Sequence, residues 1–65
     1  MDIQITNNGE KNTLRIIDKN SAEKCIATIK ECLKDEQQFF TFDDGKFCTI
    51  YPSKYLQNSL IKYNI

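Results

Sequence analysis

Histidine is absent from this chain of 65 residues, and glycine occurs only twice. Without histidine, acid–base catalysis would depend on carboxylates, and these lie at predicted turns, helix ends and solvated helix positions. Two isolated glycines exclude a glycine-rich phosphate-binding loop. We therefore expect no catalytic residues, no cofactor-binding residues and no metal site, and we predict that the protein is not an enzyme.

Arginine is also scarce, with a single residue, and the nine basic residues balance the nine acidic ones. A neutral chain has no overall field that would attract nucleic acid or an anionic membrane. No apolar run approaches the roughly 20 residues of a membrane span, and the first residues lack the pattern of a signal peptide. We expect a cytoplasmic protein without a membrane partner. The abundance of lysine, asparagine and isoleucine is typical of an A+T-rich bacterial or phage genome.

The chain has three cysteines, Cys25, Cys32 and Cys48. Their number is odd and they lack the framework of a disulfide-rich secreted domain, which favours a reducing compartment. Cys25 and Cys32 lie seven residues apart on one predicted helix, or about 10.5 Å along its axis. That distance is too long for a disulfide, and no Cys-x-x-Cys motif is present to build a zinc site. We interpret all three as small buried hydrophobic residues.

A first hairpin is predicted by Asn8-Gly9, because both residues tolerate the positive φ of a type I′ turn. A two-residue loop separates an apolar face from a polar face and brings Asp2 opposite Arg15 as an ion pair. The apolar face pairs Asn7 with Glu10, Ile5 with Asn12, Ile3 with Leu14 and Met1 with Ile16. The polar face pairs Thr6 with Lys11, Gln4 with Thr13 and Asp2 with Arg15.

An amphipathic helix follows, predicted from about Ser21 to Glu36. Asn20 is a favourable N-cap residue, and Glu23 stands three positions later as in a capping box. Apolar residues recur at spacings of three and four, which is typical of one face packed on a sheet. These are Ala22, Cys25, Ile26, Ile29, Cys32 and Leu33. We interpret the charged face as solvated surface.

A second hairpin is predicted around Asp43-Asp44-Gly45, with two alternative registers. A two-residue loop pairs Phe42 with Phe47 and Phe40 with Thr49. A three-residue loop pairs Phe42 with Lys46, Phe40 with Cys48 and Gln38 with Ile50. We favour the three-residue loop because it divides the faces more cleanly. Its core face has Phe40, Phe42, Cys48 and Ile50, and its second face has Phe39, Thr41, Phe47, Thr49 and Tyr51.

The last segment has both strand-like alternation and helical spacing, and Pro52 predicts the end of the fourth strand. Because Asn58-Ser59 disfavours a helix interior, we predict a short turn over 53–58 and a strand from Ser59. The order ββαβββ predicts a single two-layer α+β domain over residues 1–65. Its one amphipathic helix (21–36) is expected to pack on one face of a mainly antiparallel sheet.

The predicted second face carries three aromatic residues, Phe39, Phe47 and Tyr51, and is our candidate interaction surface. Exposed aromatic patches are favoured anchors at interfaces, and a domain this small has little stability to spare. We expect a non-enzymatic protein-interaction module that binds a protein partner or itself, as a homodimer. A phage or bacterial regulator or inhibitor is a special case. If the last residues cover these rings, they belong to the core.

An alternative function is weak binding of single-stranded nucleic acid by the C-terminal third of the chain. Residues 45–65 contain no acidic residue and interleave lysines with aromatic rings. Bases could stack on the rings while lysines contact phosphates. The candidate contacts are Lys46, Lys54, Tyr55, Lys62 and Tyr63.

Overall fold

The computed structural model describes residues 1–64, which form an α+β fold with five strands and two helices. The predicted fold class and strand–helix order are confirmed, with one short helix added before the last strand. The elements are β1 (Asp2–Asn7), β2 (Glu10–Arg15), α1 (Lys19–Lys34), β3 (Phe39–Asp43), β4 (Cys48–Pro52), α2 (Ser53–Gln57) and β5 (Leu60–Asn64). The strands form two antiparallel sheets, a three-stranded sheet in the order β2-β1-β5 and a separate β3-β4 hairpin.

The first hairpin has the predicted register at every pair from Asp2–Arg15 to Asn7–Glu10. Both turn residues have positive φ, 51° at Asn8 and 80° at Gly9, as a type I′ turn requires. The predicted ion pair between Asp2 and Arg15 is wrong, since the one ion pair among residues 1–64 joins Lys19 to Glu23. Both side chains lie on the face of the sheet that water reaches, where hydration competes with pairing.

Helix α1 begins and ends two residues earlier than predicted. Its N-cap is Asp18 rather than Asn20, and the Asp18 carboxylate accepts hydrogen bonds from the backbone N–H (3.0 Å) and the hydroxyl (2.9 Å) of Ser21. A carboxylate there also interacts favourably with the positive end of the helix dipole. The helix stops at Asp35, whose side chain accepts the Gln37 N–H in place of a helical carbonyl.

The core lies between α1, the inner face of the three-stranded sheet and the inner face of the β3-β4 hairpin. Four of the six predicted apolar positions of α1 are buried, while Cys25 is half-buried and Leu33 is exposed. The amphipathic prediction therefore holds for the centre of the stripe. The core consists of Ile3, Ile5, Leu14, Ile26, Ile29, Cys32, Phe40, Tyr51 and Leu56.

The second hairpin has neither of the predicted registers. Phe40 pairs with Tyr51 and Phe42 pairs with Thr49, so the loop contains the four residues 44–47. The Asp44 carboxylate causes this lengthening, because it accepts the N–H groups of both Lys46 and Phe47 at 2.8 Å. The turn therefore closes beyond Gly45 rather than at it.

The new register exchanges residues between the two faces of the hairpin. Tyr51, predicted on the second face, is buried, and its ring stacks on Phe40 with 5.9 Å between centroids. Cys48 and Ile50, predicted in the core, are exposed. Phe40 and Phe42 lie on the inner face as predicted.

The C-terminal segment contains the predicted strand, and Pro52 ends β4 as predicted. The predicted turn over 53–58 is mostly the helix α2, which lies at the end of α1. The Ser53 hydroxyl donates to the Cys32 carbonyl and the Gln57 amide to the Leu33 carbonyl. Because the last carbonyls of a helix have no partner within it, α2 acts as a C-terminal cap for α1. No helix within residues 1–64 is both long and apolar enough to cross a bilayer.

Candidate functional site

The predicted interaction surface is only partly assembled. Phe39 and Phe47 are exposed, at 58% and 72% of their surface, whereas Tyr51 lies in the core. Phe39 stands at the start of β3, and Phe47 lies in the turn at the other end of the hairpin. Four residues of strand separate these ends, or about 13 Å. The two rings are therefore exposed at opposite ends of one hairpin.

Ile50 is the residue that sequence reasoning missed. It is 62% exposed and lies opposite Thr41, diagonally across the ladder from Phe39. The alternation of the two runs fits either register, so only the turn could have revealed this position. We call this surface the outer hairpin face. It consists of Phe39, Thr41, Asp43, Cys48, Ile50 and Pro52.

The β3 edge of the hairpin carries unpaired backbone groups. The Asp44 N–H donates to the Phe47 carbonyl, which makes these two residues a hydrogen-bonded pair. Because such pairs alternate along an antiparallel ladder, the backbone groups of Phe39, Thr41 and Asp43 point away from β4. Pro52 occupies the corresponding outward position of β4 and has no N–H to offer. The β3 edge is thus the more complete of the two.

This edge also lacks the charges that usually prevent strands from pairing between molecules. Strand β3 has no charged residue before Asp43, and β4 has none. By contrast, β2 carries Lys11 and Arg15, and β5 carries Lys62. The β3-β4 hairpin is therefore the sheet in this fold that charges protect least.

The carboxylates of the turn serve local structure. The N–H groups of Phe47 and Lys46 hold the pKa of the Asp44 carboxyl below its ordinary value, and the Asp43 carboxylate accepts the Gly45 N–H at 2.8 Å. Within residues 1–64 no group of three or more His, Cys, Asp or Glu side chains could hold a metal ion. Burial raises the pKa of the Tyr51 hydroxyl, with smaller contributions from Tyr55 and Glu10.

The residues of the alternative nucleic-acid site do not share one face. Lys46 lies in the hairpin turn, and Lys54 and Tyr55 lie on α2. The Tyr55 ring is half-buried against the core. Lys62 points to the polar outer face of the three-stranded sheet, and Tyr63 faces the opposite way, toward α1. The structure therefore places these five residues on separate surfaces rather than on one.

The cysteines occupy three different environments. Cys32 is buried, Cys25 is half-buried and Cys48 is exposed on the outer hairpin face. Burial raises the pKa of the Cys25 thiol, and burial with the nearby Asp35 and Glu31 carboxylates raises that of Cys32. The prediction that all three are buried is wrong for Cys48, because the observed register places it on the outer hairpin face.

A second apolar surface, not singled out from the sequence, lies where α1 meets β5. Leu33 and Tyr63 are partly exposed on either side of a shallow groove. The Lys30 ammonium stands 5.8 Å from the centroid of the Tyr63 ring. We call this the helix–strand groove. Its lining residues are Ile26, Ile29, Lys30, Leu33, Ile61 and Tyr63.

The position of β5 at the sheet edge creates this groove, and the sequence signals for it are weak. Leu33 is the last residue of the apolar stripe of α1, and Ile61 and Tyr63 alternate with Lys62.

Comparison with models of known protein families, with curated proteins and with solved structures gives no match to this chain.

Proposed function

We propose that this protein is a small non-enzymatic interaction module that self-associates through the outer hairpin face. One observation carries the proposal: Phe39 and Ile50 are diagonal neighbours, each more than half exposed, on a sheet with almost no charge. Large apolar side chains that are contiguous at the surface mark interaction sites. The same face could dock a different protein, and self-association is the use that the β3 edge favours.

The β3 edge is self-complementary. A two-fold axis beside Thr41 would pair Thr41 with its copy and Phe39 with Asp43 of the second chain. No like charges would then lie opposite each other, and Thr–Thr pairs are favourable across strands. The two hairpins would form one four-stranded antiparallel sheet, and the apolar faces would become continuous.

The interface is expected to be weak. Each hairpin presents a footprint of about 17 by 10 Å, well below the roughly 800 Å² per partner of stable complexes. Complete burial of a Phe or Ile side chain stabilises by about 1.5–3 kcal/mol, and Phe39 and Ile50 are already partly covered. We therefore expect a dimer that forms with increasing concentration.

Sedimentation equilibrium from micromolar to millimolar concentration tests this proposal. The wild type should approach the mass of a dimer, while Phe39→Asp and Ile50→Asp should remain monomeric with unchanged circular dichroism. Ile17→Asp is the matched control, because Ile17 is 98% exposed and lies outside the hairpin. Self-association would be contradicted if the wild type stays monomeric. It would also be contradicted if Ile17→Asp dissociates the dimer as fully as Phe39→Asp and Ile50→Asp do.

We do not advance nucleic-acid binding as a second candidate. Its lysines and rings lie on α2, on the hairpin turn and on both faces of β5.

A further inference from the structure

We propose that the helix–strand groove binds an extended peptide segment, which adds to β5 as a fourth antiparallel strand of the β2-β1-β5 sheet. The segment would have an apolar, acidic, apolar sequence at the three positions opposite Ile61, Lys62 and Tyr63. This site is separate from the outer hairpin face, and its occupant is a different molecule.

The backbone of β5 has the free groups that strand addition needs. The Ile16 N–H donates to the Met1 carbonyl, so Met1 and, by alternation, Ile3 and Ile5 use their backbone groups toward β2. The intervening residues of β1 bond β5 instead. Their partners are Asn64, Lys62 and Leu60.

The backbone N–H and C=O groups of Ile61 and Tyr63 therefore point outward from the sheet. Within residues 1–64 the β1–β5 ladder is the one strand pairing that β5 makes. An incoming strand can form its hydrogen bonds at these two residues, as in other cases of peptide addition to a sheet edge.

The groove lies where the side chains of such a strand would go. Residues opposite Ile61 and Tyr63 have their side chains on the same face as these two, which is the face toward α1. There they would contact Ile29 and Leu33. The lining is almost wholly apolar, and it would accept two aliphatic side chains two residues apart.

The charges around β5 select an acidic residue between these two. Lys62 lies on the outer face of the sheet, opposite Gln4 of β1, and makes no ion pair within residues 1–64. The residue opposite Lys62 in the added strand would share that face, where a carboxylate is favoured by cross-strand attraction. Asp2 is the acidic residue on the same face, and it lies opposite Asn64 rather than Lys62.

A second copy of this chain is a poor occupant of the same edge. Antiparallel pairing of β5 with its copy about a two-fold axis at Lys62 would place the two lysines directly opposite each other. Like charges at such positions are destabilising. This register of self-pairing is therefore disfavoured, whereas a partner strand with an acidic residue opposite Lys62 is favoured.

The test uses the full chain and a fluorescein-labelled heptapeptide, TVEIEVT, in a fluorescence anisotropy titration. We expect saturable binding, and slower amide hydrogen exchange at Ile61 and Tyr63 in the complex. Lys62→Glu should weaken binding about tenfold, since it converts an attractive cross-strand pair into a repulsive one. The peptide TVKIKVT should show the reverse preference and bind Lys62→Glu better than the wild type.

Two further variants locate the site. Leu33→Glu places a charge at the partly exposed rim of the groove and should abolish binding, with circular dichroism reporting that the fold is kept. Lys54→Glu is the matched control, a charge reversal at an exposed position of α2, and should bind as the wild type does.

Three results would overturn the proposal. They are absence of binding by the wild type, equal binding of the interrupted peptide TVEPEVT, and equal weakening by Lys62→Glu and Lys54→Glu. Proline removes a donor and cannot extend the ladder, so TVEPEVT separates strand addition from non-specific apolar contact. Phe39→Asp should leave peptide binding unchanged, which keeps this test independent of self-association.

Discussion

Ser53 is the buried polar residue of this core, and its hydroxyl donates to the carbonyl of Cys32 in the last turn of α1. Carbonyls at this end of a helix need a partner from outside it. Since water does not reach this carbonyl directly, the Ser53 hydroxyl donates to it in place of water. The Ser53 hydroxyl therefore supplies the buried hydrogen bond between α2 and α1, and the Gln57 amide supplies an exposed one to Leu33.

Ser53→Ala is expected to destabilise the protein by about 1–3 kcal/mol, because it leaves the buried Cys32 carbonyl without a donor. Urea denaturation followed by circular dichroism measures the change. Thr28→Ala is the control, because the Thr28 hydroxyl also donates to a helix carbonyl but is exposed. Equal losses in the two variants would show that burial of the bond is unimportant.

The cysteines should differ in reactivity toward a thiol reagent in the folded protein. Cys48 is exposed and should react fast, whereas Cys32 should react only on unfolding, since it is buried and its thiol has a raised pKa. Stopped-flow absorbance with Ellman's reagent measures the phases, and Cys48→Ser should remove the fast one. A fast phase that survives in Cys48→Ser would contradict the assignment of Cys48 as the exposed thiol.

At the level of elements, the two hairpins differ in how far local sequence determines them. Asn8-Gly9 requires a two-residue turn, so its register could be predicted pair by pair. In Asp43-Asp44-Gly45 the Asp44 carboxylate accepts the N–H groups of Lys46 and Phe47, which follow Gly45, and the loop grows to four residues. Counting from a glycine cannot reveal such bonds, and one changed register moved Tyr51 into the core and Ile50 out of it.

Gly45→Ala should cost about 1–2 kcal/mol, because φ at Gly45 is +94° and a Cβ is strained there. No atom lies within 4 Å of the added Cβ, so backbone strain is the whole cause. Urea denaturation again gives the free energy of unfolding. Lys46→Ala, at the next turn position, is the control and should change the free energy of unfolding little. If Gly45→Ala also leaves it unchanged, the turn adapts to the added Cβ.

At the level of the whole molecule, acid should weaken the fold through at least two carboxylates. Hydrogen bonds from Ser21 lower the pKa of Asp18, and N–H groups of the turn lower that of Asp44. The unfolded chain therefore binds more protons than the folded one as the pH falls through this range. The stability that they contribute is present above the ordinary carboxyl value of 3.8 and is lost as pH falls through the lower folded-state values.

Thermal melts from neutral pH to below pH 3 check this expectation. The wild type should lose stability steeply at the acid end, and Asp18→Asn with Asp44→Asn should flatten that dependence. Glu31→Gln is the control, because it removes a carboxylate that accepts no hydrogen bond among residues 1–64, and its melts should resemble those of the wild type. An unchanged slope in the double variant would assign the acid sensitivity to other groups.

The fold class follows from local patterns, such as the apolar stripe of α1 and the alternation in β1. The candidate surfaces depend on contacts that are distant in sequence. Exposure of Phe39 could be predicted from its alternation with Phe40. Phe47 is exposed because it lies in the four-residue turn, which neither predicted register contains. The helix–strand groove could not be predicted, since it forms only when β5 lies beside β1 and α1 packs across both strands.

The ladder between β1 and β5 sets when that groove can exist. The Asp2 N–H donates to the Asn64 side chain at 2.8 Å, across a separation of 62 residues. Closing so long a loop is costly in entropy and is repaid only once the whole ladder forms. We expect β5 to separate from β1 before the β1–β2 hairpin opens. The groove would therefore exist only in the completely folded protein. A strand added at β5 would stabilise the β1–β5 pairing, which forms last.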